Sequence, residues 1–182
     1  MLYPALFGIT IAFSFVVWGL VARQYFWPAL RGRERADAVR PILFLHAFRF
    51  MGLMFLIPGV VAADLPATFA RDVAYGDLAT AVLAVLALAM LSSKGSALPI
   101  WVFNIVGTVD LLNAYYQGSR ISIANAPGVM GAAYVIPTLV VPLLLVTHAL
   151  VFRIMLRTQA AAIPQRLPHA AQSRSLHSLR SG

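Results

Sequence analysis

The residues of this chain whose types and spacing could support chemistry are His46, Arg49, Asn104, Asp110, Asn113 and His148. Each lies in or beside a run of apolar side chains, where an ionisable group costs about 2.5–3.5 kcal/mol to insert if the run is at membrane depth. His46 and Arg49 are three residues apart, so on a helix they project from one face a turn apart. Asn104, Gly107 and Thr108 follow the i, i+3, i+4 spacing of a helical stripe, and Asp110 with Asn113 forms a second stripe about 120° round from Asn104. Thr138, Thr147 and His148 occupy the last apolar run.

Three readings fit these residue types. In the first, they form a buried polar site that binds or translocates a small polar or anionic solute. Arg49 is then the countercharge, Asp110 its partner or a proton-exchanging group, and Asn104, Asn113, His46 and His148 orienting hydrogen-bond partners. In the second, Arg49 pairs with Asp110 and the Asn and His side chains join helices, so that the chain is a structural or accessory membrane subunit. In the third, His46 and His148 are the axial ligands of a b-type haem, with Arg49 facing a propionate. The leading expectation is that no cofactor is needed.

Other chemistry is excluded by what the chain lacks. It has no cysteine, which removes disulfides, thiol catalysis and cysteine-held metals. No HExxH, GxSxG elbow, phosphate-cradling glycine loop or magnesium-binding carboxylate cluster occurs, so no catalytic residues are expected. Three or four His, Asp or Glu ligands do not assemble at one depth, so no metal site is expected either.

The elements that carry these residues follow from composition. With 60% hydrophobic residues, 11% charged residues and mean hydropathy +0.81, the chain has too little polar surface to cover itself in water. Its solvent is expected to be a lipid bilayer. Apolar runs at 2–22, 41–63, 75–91, 98–116 and 133–156 each approach the roughly 20 residues that cross about 30 Å of hydrocarbon. None alternates in polarity as an outer-membrane strand does. The expected fold is all-α, a polytopic transmembrane bundle of five helices over residues 1–156, followed by a disordered basic tail at 157–182. The first run is read as a span rather than a cleaved signal peptide, because it lacks a basic leader and outruns the usual apolar core of about 7–15 residues.

Of the fourteen basic residues, eleven lie in alternate connections: the segment 23–40, the turn at Lys94, and everything from Arg153 onward. The opposite connections hold only Arg71 and Arg120. By the positive-inside rule the N-terminus is outside and the C-terminus cytoplasmic, in a multi-pass protein of the cytoplasmic (inner) membrane. The +8 charge is thus a topology signal, and no nucleic-acid partner is expected; a homo-oligomer or membrane complex is compatible with the composition. Aromatic residues at the run ends, among them Tyr25, Trp27, Trp101, Tyr115, Tyr116 and Tyr134, suit interface belts.

With that orientation and about 1.5 Å per residue, His46 lies roughly 8 Å from the cytoplasmic end, Asn104 about 9 Å, Arg49 and His148 about 12 Å and Asp110 about 18 Å. The first four share a layer, and Asp110 is within reach of the Arg49 side chain. The fourth helix, polar on two stripes, is expected to be enclosed on more than one side. Pro142 should free the Thr138 carbonyl, and Pro58 with Gly59 the Met54 carbonyl. The connection 117–131 either dips into the bundle and caps a cavity or lies flat on the surface.

Overall fold

A computed structural model describes residues 2–157 apart from Lys94; the expected basic tail, save Arg157, lies outside the described residues. Among the described residues the chain is all-helical, with five helices long and apolar enough to cross a membrane. They are α1 (Leu2–Leu30), α2 (Arg35–Leu56), α3 (Ala67–Ala89), α4 (Ala97–Arg120) and α5 (Ile136–Leu156). Several boundaries differ from those read off hydropathy: α2 spans Arg35–Leu56 rather than 41–63, and α4 continues past residue 116 to Arg120. The α1 helix runs on through the aromatic segment to Leu30, leaving only a short turn before α2. The α3 helix begins at Ala67 rather than Tyr75, because polar Arg71, Asp72 and Asp77 lower the local hydropathy without breaking the helical backbone.

Three of the helices are not uniform. In α1 a π turn at Ala22–Phe26 precedes Pro28, and in α5 one at Ile136–Val140 precedes Pro142. The wider i→i+5 turn lets the backbone pass a proline with its hydrogen bonding rearranged rather than lost. Around the α5 turn, Tyr115 donates to the Pro137 carbonyl at 2.8 Å and Trp18 Nε1 to the Leu139 carbonyl at 3.1 Å. The proline therefore remodels a whole turn, where sequence suggested one freed carbonyl at Thr138. In α2 the α-helix Arg35–Ala47 tightens into a 3-10 helix at Phe48–Leu56. Its buried residues are Arg49, Gly52 and Phe55, the three-residue period at which 3-10 side chains eclipse. The Met54 carbonyl, expected to be free, accepts the Ile57 amide at 3.1 Å.

The interior has two large apolar clusters with a polar layer between them, and a small third one of Leu111, Val141 and Leu144. At the end bearing the 31–34 turn, the basic end, Val39, Leu43, Ile100, Phe103, Val151 and Ile154 pack together. At the opposite loop end, Phe7, Phe55, Phe69, Ile123 and Met130 do so. Outward faces carry exposed apolar side chains such as Val82 and Val85 on α3 and Ile105, Val109 and Leu112 on α4. The latter form the outward face of α4, which packs against α3 through Asp110 and against α5 through Gly107, two neighbours as its two polar stripes suggest.

Both ends are fastened. At the basic end the Arg153 guanidinium stacks 3.7 Å above the Trp27 ring, with Arg157 5.2 Å from it on the same ring. At the loop end the two connections bond to each other, Ala62 N to Val129 O at 2.9 Å and Ala132 N to Val60 O at 3.0 Å. Gly131 permits this approach: its φ is +50°, and a Cβ there would run into the Val60 carbonyl. Ile123, Met130 and Ala133 are buried, so this connection turns inward and closes the bundle.

Candidate functional site

The polar layer centres on Arg49. The 3-10 stretch of α2 aims its side chain at α3 and α4, where every nitrogen of the guanidinium is engaged. Nε donates to Asp77 Oδ1 at 2.7 Å, Nη1 to the Gly107 carbonyl at 3.3 Å, and Nη2 to Asp110 Oδ2 at 2.5 Å. Nη2 also lies 2.7 Å from Asp77 Oδ1. The side chains of Arg49, Asp77 and Asp110 are 1%, 9% and 16% exposed, so one cation and two carboxylates share a nearly water-free space. An isolated charge there is very costly, and the paired and hydrogen-bonded geometry is what makes the three tolerable.

The expected pairing of Arg49 with Asp110 is present. Its second partner, Asp77, was missed by sequence because hydropathy started the third span at Tyr75 and left Asp77 at its rim. A signal did exist: Ala70, Ala74, Asp77, Ala81 and Ala84 are spaced by three or four residues and form the buried face of α3.

One turn toward the basic end lies the second part of the layer. His46 and His148 are buried with ring centroids 4.2 Å apart, and Phe103 packs 5.1 and 5.2 Å from them. The Thr147 hydroxyl donates to its own helix, to the Leu144 carbonyl at 2.9 Å or the Leu143 carbonyl at 3.0 Å, and so accepts from His46 Nε2 at 2.9 Å. His148 Nδ1 donates to Asn104 Oδ1 at 2.7 Å. With these tautomers, assigned from the hydrogen-bond network, His46 Nδ1 and His148 Nε2 each keep a lone pair without a protein partner. Asn104 Nδ2 is likewise unpartnered, so three buried polar atoms of one patch have unused hydrogen-bonding capacity.

The helices approach through glycines in a regular succession. Gly52 of α2 lies against the Asp77 carboxylate of α3, and Gly76 of α3 against the Asp110 carboxylate of α4. Gly107 of α4 receives the His148 ring of α5, where a Cβ would stand 2.6 Å from Cε1 and Nε2. The helices α2, α3 and α4 thus each offer a gap to the polar side chain of the next helix in the chain.

Of the six residues singled out by sequence, His46, Arg49, Asn104, Asp110 and His148 belong to this layer. Asn113 does not: it is exposed on the outward face of α4, because the 3.6-residue period carries it past the side Asp110 shares with Arg49. Thr108 and Thr138 donate to carbonyls of their own chain, those of Asn104 and Tyr134. The two histidine rings touch, so as placed they leave no slot for the macrocycle that a bis-histidine haem requires between them. Asp77 and Asp110 already face Arg49, and no group of three or more His, Asp and Glu gathers as metal ligands among the described residues.

In comparisons with known sequences and structures, no curated protein and no solved structure matches. A family model, described as a domain of unknown function (DUF8737), matches residues 6–156, a stretch that takes in the whole polar layer and ends with α5. The chain therefore belongs to the family of the domain of unknown function DUF8737.

Proposed function

We propose that the protein is a multi-pass protein of the cytoplasmic membrane that binds and translocates a small polar solute through the layer built on Arg49. The species best matched to it is a proton or small cation. The observation that carries this reading is the imbalance of the cluster, in which two carboxylates face one guanidinium at the centre of five apolar helices. An anionic solute would meet a cluster in which two carboxylates already outweigh the single Arg49 cation. A proton has places to go: the more exposed Asp110 carboxylate and, beyond the Gly107 carbonyl that Arg49 holds, the lone pairs of His148 and His46.

The expected orientation, N-terminus outside and C-terminus cytoplasmic, puts the histidines in the inner half and Asp110 nearer the outside. The two groups then bracket the middle of the membrane. Charged side chains kept at such depth typically mark ion or proton routes.

Proton flux into proteoliposomes, read with an entrapped pH-sensitive dye under an imposed membrane potential, tests the proposal. Wild-type protein should acidify the lumen, and Asp110→Asn should abolish the flux while the protein remains folded. Flux in the variant equal to that of the wild type, or wild-type flux no greater than in protein-free vesicles, would overturn it.

A specific observation also favours the accessory-subunit reading: the bonds of Arg49 to Asp77, the Gly107 carbonyl and Asp110 stitch α2, α3 and α4 together. On that reading Asp110→Asn lowers stability or partner assembly and no flux is seen in wild type.

A further inference from the structure

Beside the charged layer, at the loop end, the five helices line a half-open cavity of about 390 Å³. Its walls come from Phe7 of α1, Phe55 of α2, Phe69 of α3, Leu111 of α4 and the inward-folded Met130. Among the described residues no acid, arginine, lysine or histidine lines it, and its Tyr115 hydroxyl is already bonded to the Pro137 carbonyl. The volume corresponds to roughly a dozen water molecules at about 30 Å³ each. Water needs two to four polar partners, and this lining supplies few, so the space suits hydrocarbon.

The polar side chains that do line it besides Tyr115 are Ser119 and Ser122, both exposed, at the C-terminal end of α4 and the turn that follows. Ser122 holds that turn in the left-handed region, with φ +54°. The 24 residues of α4 span about 36 Å, somewhat more than the roughly 30 Å of hydrocarbon, so its last turn stands where tails give way to headgroups. Between the two serines is exposed Arg120, in the last turn of α4, which offers a cation at the same level.

We propose that this cavity holds one acyl chain of an anionic phospholipid, with the chain among the phenylalanines, the ester region at Ser119 and Ser122, and the phosphate met by Arg120. It is a site distinct from the charged layer, and it does not depend on whether that layer conducts protons. The polar rim and the apolar floor match the two ends of such a molecule. The bilayer presents its chains at that depth continuously, so no separate delivery is needed.

The full-length protein, reconstituted with phosphatidylglycerol carrying a photoactivatable diazirine near the middle of one acyl chain, tests this by irradiation and peptide mapping. Adducts should concentrate on the segments containing Phe69, Leu111 and Met130. Filling the space by Ala114→Trp should reduce them at least tenfold, leaving adducts on the outward face at Val82 and Val85 unchanged. Gly118→Leu is a second filling variant: a Cβ there lies 3.6 Å from Ile123 and 3.8 Å from Phe69, ordinary contacts that the helix accommodates. Arg120→Gln should lower cavity adducts from phosphatidylglycerol more than those from a zwitterionic phosphatidylcholine probe of the same chain. Cavity labelling unaffected by either filling variant would overturn the proposal. Equal labelling by a diazirine alkane with no headgroup, together with indifference to Arg120→Gln, would overturn it in favour of a free apolar occupant.

Discussion

Arg49 has the most at stake of any residue in the layer, because a guanidinium can fork to two carboxylates while remaining charged. Arg49→Met leaves Asp77 and Asp110 buried against each other with no cation, which should cost roughly 3–5 kcal/mol in the unfolding free energy measured in detergent micelles. Arg49→Lys should restore little of this, since an ammonium on a flexible stem cannot reproduce the planar, two-sided contact. Asp110→Asn should cost less than half as much as Arg49→Met. It removes one partner but also the repulsion between two carboxylates, and leaves Arg49 bound through Nε and Nη2 to Asp77. Equal losses in Arg49→Met and Asp110→Asn would show that charge balance does not govern this cluster.

The elements set how closely these residues can meet, and their glycines are the controlling positions. Gly107→Ala would bring a methyl within 2.6 Å of the His148 ring and 2.7 Å of Thr80 Cγ2, forcing α4 from its neighbours. We expect a loss of about 1–3 kcal/mol, as for other overpacked interiors. Asn113→Leu, on the outward face of the same helix, should shift stability by no more than about 0.5 kcal/mol. The contrast, read by thermal unfolding of the two variants, checks that α4 has one working face. Much at this scale was legible in sequence, because apolar runs of bilayer length leave few alternatives to helices. His46 with Arg49 on one face, and Asp110 within their reach, followed from helical spacing. Asp77 did not, since a hydropathy window treats a charged residue near a run's end as a boundary even when the helix continues through it. Asn113 was misplaced for a related reason: spacing relates residues on one helix to each other but cannot say which stripe faces the neighbours. The 3-10 stretch of α2 and the π turns were also hidden, because they depend on packing against α3 and on how prolines are accommodated. They are tertiary outcomes with only weak local signals.

For the whole molecule, function depends on which end of the polar layer faces which compartment, and this rests on the distribution of basic residues. The end bearing Arg31, Arg33, Arg35, Arg40, Arg153 and Arg157 should be cytoplasmic, because translocating such a cluster is disfavoured, whereas the opposite connections carry only Arg71 and Arg120. The absence of cysteine makes this directly testable, since any single introduced thiol is the sole target for a maleimide. Gly32→Cys lies in the exposed turn at the basic end and Asp64→Cys in the exposed connection at the loop end. Neither change alters the arginine and lysine count that sets orientation. A membrane-impermeant maleimide applied to spheroplasts should label Asp64→Cys at once and Gly32→Cys only after permeabilisation. With that result, Asp110 lies nearer the outside and the histidine pair nearer the cytoplasm, so a proton entering from outside meets the carboxylate first. The reverse labelling pattern would invert the order of these groups, and with it the direction in which an inward proton gradient could drive the site.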